Sequence, residues 1–164
     1  DEGDILQRKK AAMAAMALPF ETYENRAIEP LSTGEKRRVA IAGVIAMAPE
    51  ILALDEPTAG LDMQASQALI KYLQQYHARQ HKGLVIASHN IDFLLQTVNR
   101  FLILREGELV ADLERAELGA YITAGSPGVA TPRAMRLAEK LREMGIPLPE
   151  CILSEQQLLQ ALDD

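Results

Sequence analysis

Asp55 and Glu56 stand directly after the short apolar run Ile51-Leu52-Ala53-Leu54 and directly before Pro57. Two carboxylates at the carboxyl end of a strand in an open parallel sheet lie where ligands bind. The first can hold a magnesium ion, usually through water, and the second can orient an attacking water or accept its proton. The same pair also fits a solvated turn before a proline. A second segment, Leu31-Ser32-Thr33-Gly34-Glu35, places a serine three residues before an acid, and a helix capping box alone accounts for both. Gly34 costs a first helical turn some stability relative to alanine, yet it leaves the backbone open to an anion. A helix amino end with a hydroxyl and free amides is also a phosphate site. A third segment, Ser88-His89-Asn90, ends another apolar run; its imidazole can donate to a phosphate oxygen or can be simply structural. His77 and His81 have the four-residue spacing of a metal pair on one helix face, but with no third ligand in view they read as solvated.

Periodicity and breakers define the elements that must position these groups. Residues 4–18 suit a helix stopped by Leu18-Pro19, and a polar connection runs on to Pro30. Residues 31–48 form a helix, apolar on nearly all sides after Arg38 and therefore expected to be buried. The run Ile51-Leu52-Ala53-Leu54 is a strand expected to be covered on both faces. Ala65, Ala68, Leu69, Tyr72, Leu73 and Tyr76 recur at helical spacing before a second apolar strand over 84–87, which makes a parallel crossover unit. A helix over 91–98 and a hairpin of 100–105 with 108–112, turning at Glu106-Gly107, come next. Beyond a loop with Gly125, Pro127 and Gly128, Thr131-Pro132 opens a helix that ends at Gly145, and Ser154 with Gln157 caps a last short one. The fold class is α/β, with a body over 1–112 (helical region about 1–48, strand-bearing region about 49–112) and a linker and helical appendage over 113–164.

The 164 residues allow one domain with a core, or one domain and a small appendage. Hydrophobic residues make up 48% and charged residues 24%, the balance of an ordinary globular chain. A net charge of -6 gives no electrostatic reason to expect nucleic acid as a partner. The single cysteine, Cys151, cannot pair internally and is expected to be a small buried apolar residue. The apolar run over 39–48 is about half of the roughly 20 residues a membrane-spanning helix needs, so membrane association is expected through a partner. A first residue that is Asp1 rather than methionine suggests a fragment, a processed product or a trimmed chain.

Four segments in order, Leu31-Ser32-Thr33-Gly34-Glu35, Ile51 through Thr58, Ala59-Gly60-Leu61-Asp62 and Ser88-His89, resemble the ABC-transporter ATPase series. They correspond to the signature motif, the Walker B strand with its catalytic acid, the D-loop and the switch histidine. The resemblance implies a P-loop NTPase sheet, here incomplete, with ATP and Mg2+ as cofactors. By it Asp55 helps hold magnesium, Glu56 polarises the attacking water and His89 contacts the γ-phosphate. Ser32 and Gly34, with Glu35 in the same motif, serve ATP held by a second, head-to-tail ATPase subunit, and Asp62 lies at that seam. Thr33 departs from the usual glycine, and Met63 from the proline that often follows the D-loop aspartate. No Gly-x-x-x-x-Gly-Lys-Ser/Thr loop occurs in the chain, nor do the family's adenine-stacking aromatic and Q-loop. The chain alone is therefore expected to be inactive, with strand edges and apolar faces uncovered and folding by itself in doubt.

The runs Lys36 to Met47 and Leu141 to Pro149 are similar to the ATPases of energy-coupling factor transporters, importers of vitamins or transition-metal ions. That resemblance implies a homo- or heterodimer of ATPases at the cytoplasmic face of the membrane. It also implies a transmembrane coupling protein and a separate substrate-binding membrane component as partners. A soluble ABC ATPase, a non-catalytic dimerisation module and the ATPase of another importer class are the alternatives.

Overall fold

The computed structural model describes residues 2–80 and 82–163, so His81 and its proposed pairing with His77 lie outside the described residues. The chain divides into two compact units, Asp1–Ala87 and Ser88–Asp164. The first contains α1 (Glu2–Ala15), α2 (Phe20–Tyr23), α3 (Thr33–Ala46), β1 (Ile51–Asp55), α4 (Met63–Gln80) and β2 (Gly83–Ala87). The second contains α5 (Ile91–Thr97), β3 (Arg100–Arg105), β4 (Glu108–Glu114), α6 (Arg115–Thr123), α7 (Arg133–Glu143) and α8 (Glu155–Asp163).

In the first unit β1 and β2 pair in parallel, with Ile51 opposite Gly83 and Asp55 opposite Ala87, and α4 makes the crossover. The two strands therefore end flush, and the Glu56 amide donates to the Ala87 carbonyl at 2.8 Å, one step beyond the ladder. Side chains alternate along a strand. Leu52 and Leu54 enter the core, while Ile51 is 68% exposed and its same-face neighbour Val85 60% exposed. This corrects the expectation of a strand covered on both faces, because helices cover only one side of this two-stranded sheet. The expectation that α3 is buried also fails: Ala42 and Ile45 alone are buried in it, whereas Val44 and Met47 are exposed. An all-round apolar helix needs neighbours on every side, and α3 packs on α1. The first helix stops at Ala15 rather than at residue 18, because Ala17 adopts φ 52° and the Leu18 amide turns back to the Met13 carbonyl at 2.9 Å. The stretch expected as a polar connection contains α2, a single helical turn.

In the second unit β3 and β4 form the expected antiparallel hairpin, with Arg100 opposite Glu114 and a bulge between Ile103 and Leu104. Glu106 and Gly107 have φ of 52° and 84°, the left-handed pair that a two-residue hairpin turn requires. Phe101 and Ile103 point inward onto Leu95, Leu118, Ile122 and Met135. β4 runs two residues past the expected end, to Glu114, which with Glu117 forms the capping box of α6, a helix not anticipated in the stretch read as a linker. Pro132 sits at the cap of α7, and Ser154 Oγ accepts from the Gln157 amide at 3.2 Å at the start of α8, as the sequence leads one to expect. Cys151 is exposed, against the expectation of a buried thiol. Its sulfur lies over Gly119, where an added Cβ would come within 2.0 Å of it. The residue occupies an irregular stretch just before α8, which leaves one side open to solvent.

Candidate functional site

The amino end of α3 is set by Ser32 and Glu35. Ser32 Oγ accepts from the Glu35 amide at 3.2 Å, and the Ser32 amide donates to Glu35 Oε2 at 2.9 Å, so the capping box is complete. The Ser32 hydroxyl also donates to the same carboxylate oxygen at 2.8 Å. The other oxygen, Oε1, accepts from the Tyr23 phenol at 2.7 Å, and the Arg26 guanidinium lies 3.7 Å from it. These donors, Tyr23 first and then Ser32, hold the Glu35 carboxyl down at about 2, and the same bond pushes the Tyr23 phenol up. Gly34 faces the turn after β1: a Cβ added to it would lie 3.4 Å from the Gly60 carbonyl.

β1 delivers Asp55 and Glu56 to the carboxyl end of the sheet. Asp55 is exposed and Glu56 half-buried. Glu56 has φ 44°, left-handed geometry that costs a residue with a Cβ about 1–2 kcal/mol. Arg37, on the first turns of α3, donates from one nitrogen to the carbonyls of both residues, at 3.2 Å to Asp55 and at short range to Glu56. Signature helix and acid pair are thus tied directly within the first unit, a link that sequence reasoning missed because Arg37 is one of three consecutive basic residues. The turn continues through Pro57, fully buried, to Gly60 with φ 74°. Asp62 then caps α4, its Oδ1 accepting from the Ala65 amide at 2.8 Å.

Ser32, Gly34, Glu35, Asp55, Glu56 and Asp62 thus all belong to the first unit. His89 follows the end of β2 by two residues and is exposed in the second unit, just before Asn90, whose side chain caps α5 by accepting from the Phe93 amide at 3.1 Å. An exposed aspartate at a strand end is suited to magnesium, which keeps most of its waters and takes one or two carboxylates alongside substrate phosphates. Among the described residues no group of three or more His, Cys, Asp or Glu side chains forms a ready-made metal site. Asp55 therefore fits as one ligand among waters and phosphates rather than as part of a protein cage. Among the described residues no helix is long and apolar enough to cross a membrane.

Residues 4–59 match the family model described as ABC transporter. The chain is 36% identical over 162 residues to the energy-coupling factor transporter ATP-binding protein EcfA2 of Clostridium perfringens, covering 98% of this chain and 57% of that protein. Among solved structures, a dimeric bacterial ABC transporter cassette superposes with TM-score 0.60 at 27% identity, covering 69% of this chain and 46% of its own. The structure of cbiO1 from Clostridium perfringens, described as part of the ABC transporter complex cbiONQ, gives TM-score 0.60 at 29% identity over 88% of this chain and 53% of its own. By sequence and by fold the chain is thus similar to the ABC-transporter ATP-binding proteins as a class. Within that class it is similar to the energy-coupling factor ATP-binding proteins. The chain spans about half the length of the curated relatives it matches, 57% for the Clostridium perfringens protein.

Proposed function

We propose that these residues form the signature-to-carboxyl-terminal portion of an ATP-hydrolysing subunit that powers an energy-coupling factor importer of a vitamin or a transition-metal ion. The observation that carries the proposal is the joining of three motifs in one compact unit: Arg37 of the signature helix bonded to the backbone of the acid pair, and Gly34 set against the D-loop carbonyl of Gly60. The uncovered apolar face at Ile51 and Val85 supports the proposal, since in a larger subunit another packed layer would cover it.

In this proposal the Asp55 carboxylate holds Mg2+, which when bound offsets the charge of the phosphates. Glu56 accepts the proton of the water that attacks the γ-phosphorus, and His89 donates to a γ-phosphate oxygen. Ser32 and Gly34, at the amino end of α3, present a hydroxyl and backbone amides to ATP on a second ATPase subunit. Glu35 orients Ser32, and Asp62 sits at the seam between subunits. Phosphoryl transfer needs positioning and charge stabilisation more than covalent help, and closure of two subunits supplies both. The remaining partners proposed are a transmembrane coupling protein and a substrate-binding membrane component, with the subunit peripheral on the cytoplasmic face. Residues 113–164 are proposed as the appendage through which the ATPases pair.

The 164 residues contain no phosphate loop, so we propose that alone they neither bind ATP tightly nor hydrolyse it. The test is co-purification of the full-length gene product that carries these residues with an energy-coupling factor coupling protein. Association, with ATP hydrolysis that depends on the assembled complex, supports the proposal. No association would remove the transport assignment, and a MgATP-dependent rise in the melting temperature of the 164-residue chain alone would refute its inactivity.

A further inference from the structure

We infer that Tyr23, backed by Arg26, is a positioning residue for the signature serine: it holds the Glu35 carboxylate in place and offsets its charge, so that Ser32 meets an anion rather than competing with a bare acid. The inference rests on the proposed role of Ser32 at a nucleotide carried by a second subunit.

A carboxylate three residues from a phosphate-binding serine works against that serine in two ways. It repels the incoming anion through space, and it accepts the very hydroxyl proton that the phosphate needs. Both effects are present here, since Ser32 Oγ donates to Glu35 Oε2 at 2.8 Å. The Tyr23 hydroxyl donates to the opposite oxygen at 2.7 Å, and the Arg26 guanidinium, 3.7 Å from that oxygen, also lies over the Tyr23 ring at 5.4 Å. A hydrogen-bond donor and a cation on Oε1 draw negative charge away from Oε2, the oxygen that faces Ser32. They also fix the carboxylate rotamer, which fixes the Ser32 hydroxyl.

The anchor for this device is built into the chain. Pro19 starts α2, Lys10 of α1 lies 5.2 Å over the Phe20 ring, and Tyr23 closes the single turn. α1 itself packs on α3. A four-residue helix in a polar connection is thus held at both ends, with its last side chain aimed at the capping acid.

The test uses the full-length gene product carrying Glu56→Gln, which in the proposed function slows hydrolysis and leaves the ATP-bound assembly intact. Subunit association on adding MgATP is measured by sedimentation, together with nucleotide affinity at protein concentrations too low for association. Adding Tyr23→Phe, which removes one oxygen, is expected to weaken ATP-dependent association by about tenfold or more, tenfold being the lower end of the worth of one hydrogen bond to a charged group. Nucleotide affinity is expected to stay unchanged. Adding Glu35→Gln to Tyr23→Phe is expected to restore association, because glutamine keeps the capping box and carries no charge to offset. Unweakened association in the Tyr23→Phe protein, or no restoration by Glu35→Gln, overturns the inference and leaves the proposed function standing. Absence of any ATP-dependent association in the Glu56→Gln protein overturns both.

Discussion

Replacing Glu56 by alanine and, separately, by glycine isolates the backbone strain stored at the proposed catalytic acid. At φ 44° the residue occupies left-handed geometry, held by the hydrogen bond its amide donates to the Ala87 carbonyl and by the Arg37 guanidinium donating to its own carbonyl. That geometry costs a residue with a Cβ about 1–2 kcal/mol and costs glycine almost nothing. Against this, glycine loses about 0.5–1 kcal/mol more than alanine in backbone entropy on folding. Both replacements remove the carboxylate and its side-chain interactions, so those effects cancel in the comparison. The glycine variant should therefore be the more stable of the two by about 0.5–1 kcal/mol, equivalent to a few degrees in Tm. The sign is the opposite of the usual glycine penalty, and both variants should lack hydrolysis. Urea unfolding of the full-length gene product with each replacement is the assay. An alanine variant as stable as the glycine variant, or more so, would refute the assignment of strain to this position.

Two further predictions concern stability. The Glu35 carboxyl, held at about 2 by Tyr23 and Ser32, titrates well below the ordinary carboxylate range. Its folded value lies below its unfolded one, so its contribution is present above about pH 4.5 and is lost as pH falls from there towards 2; Tyr23→Phe should move the acid transition of the first unit to higher pH, seen by circular dichroism. In the second unit, Gly119→Ala should destabilise by about 1–3 kcal/mol through overpacking, because the new methyl meets the Cys151 sulfur. Cys151→Ala should recover most of that loss in a chemical melt, and no recovery would place the strain elsewhere.

Much of the α/β framework is legible in the sequence because its signals are local. Pro49 and Pro57 bracket β1, the apolar period of 69, 72, 73 and 76 marks α4, and Glu106-Gly107 dictates the hairpin turn. The Ser32–Glu35 capping box is likewise a four-residue pattern and is found as expected. Burial is not local. Val44, Met47 and Ile51 are apolar by type, but whether a face is covered depends on neighbours, and in these residues only one side of the sheet and of α3 is packed. The links that hold the candidate site span 12 residues from Tyr23 to Glu35 and 18 or 19 from Arg37 to the acid pair. No short pattern encodes such distances; the one available hint is that Tyr23 and Arg37 are long donor side chains close in sequence to a motif that carries a carboxylate, Glu35. Cys151 follows the same rule: its residue type suggests burial, and the irregular chain before α8 leaves it exposed.

The most direct measurement of the central claim, that the acid at the tip of β1 performs the chemistry at a nucleotide, is single-turnover ATP cleavage by the full-length gene product with and without Glu56→Gln. The account predicts that the glutamine variant retains MgATP while its cleavage rate falls by about 100-fold or more, the size typical of losing a positioned general base. Cleavage at the unaltered rate in that variant would contradict it.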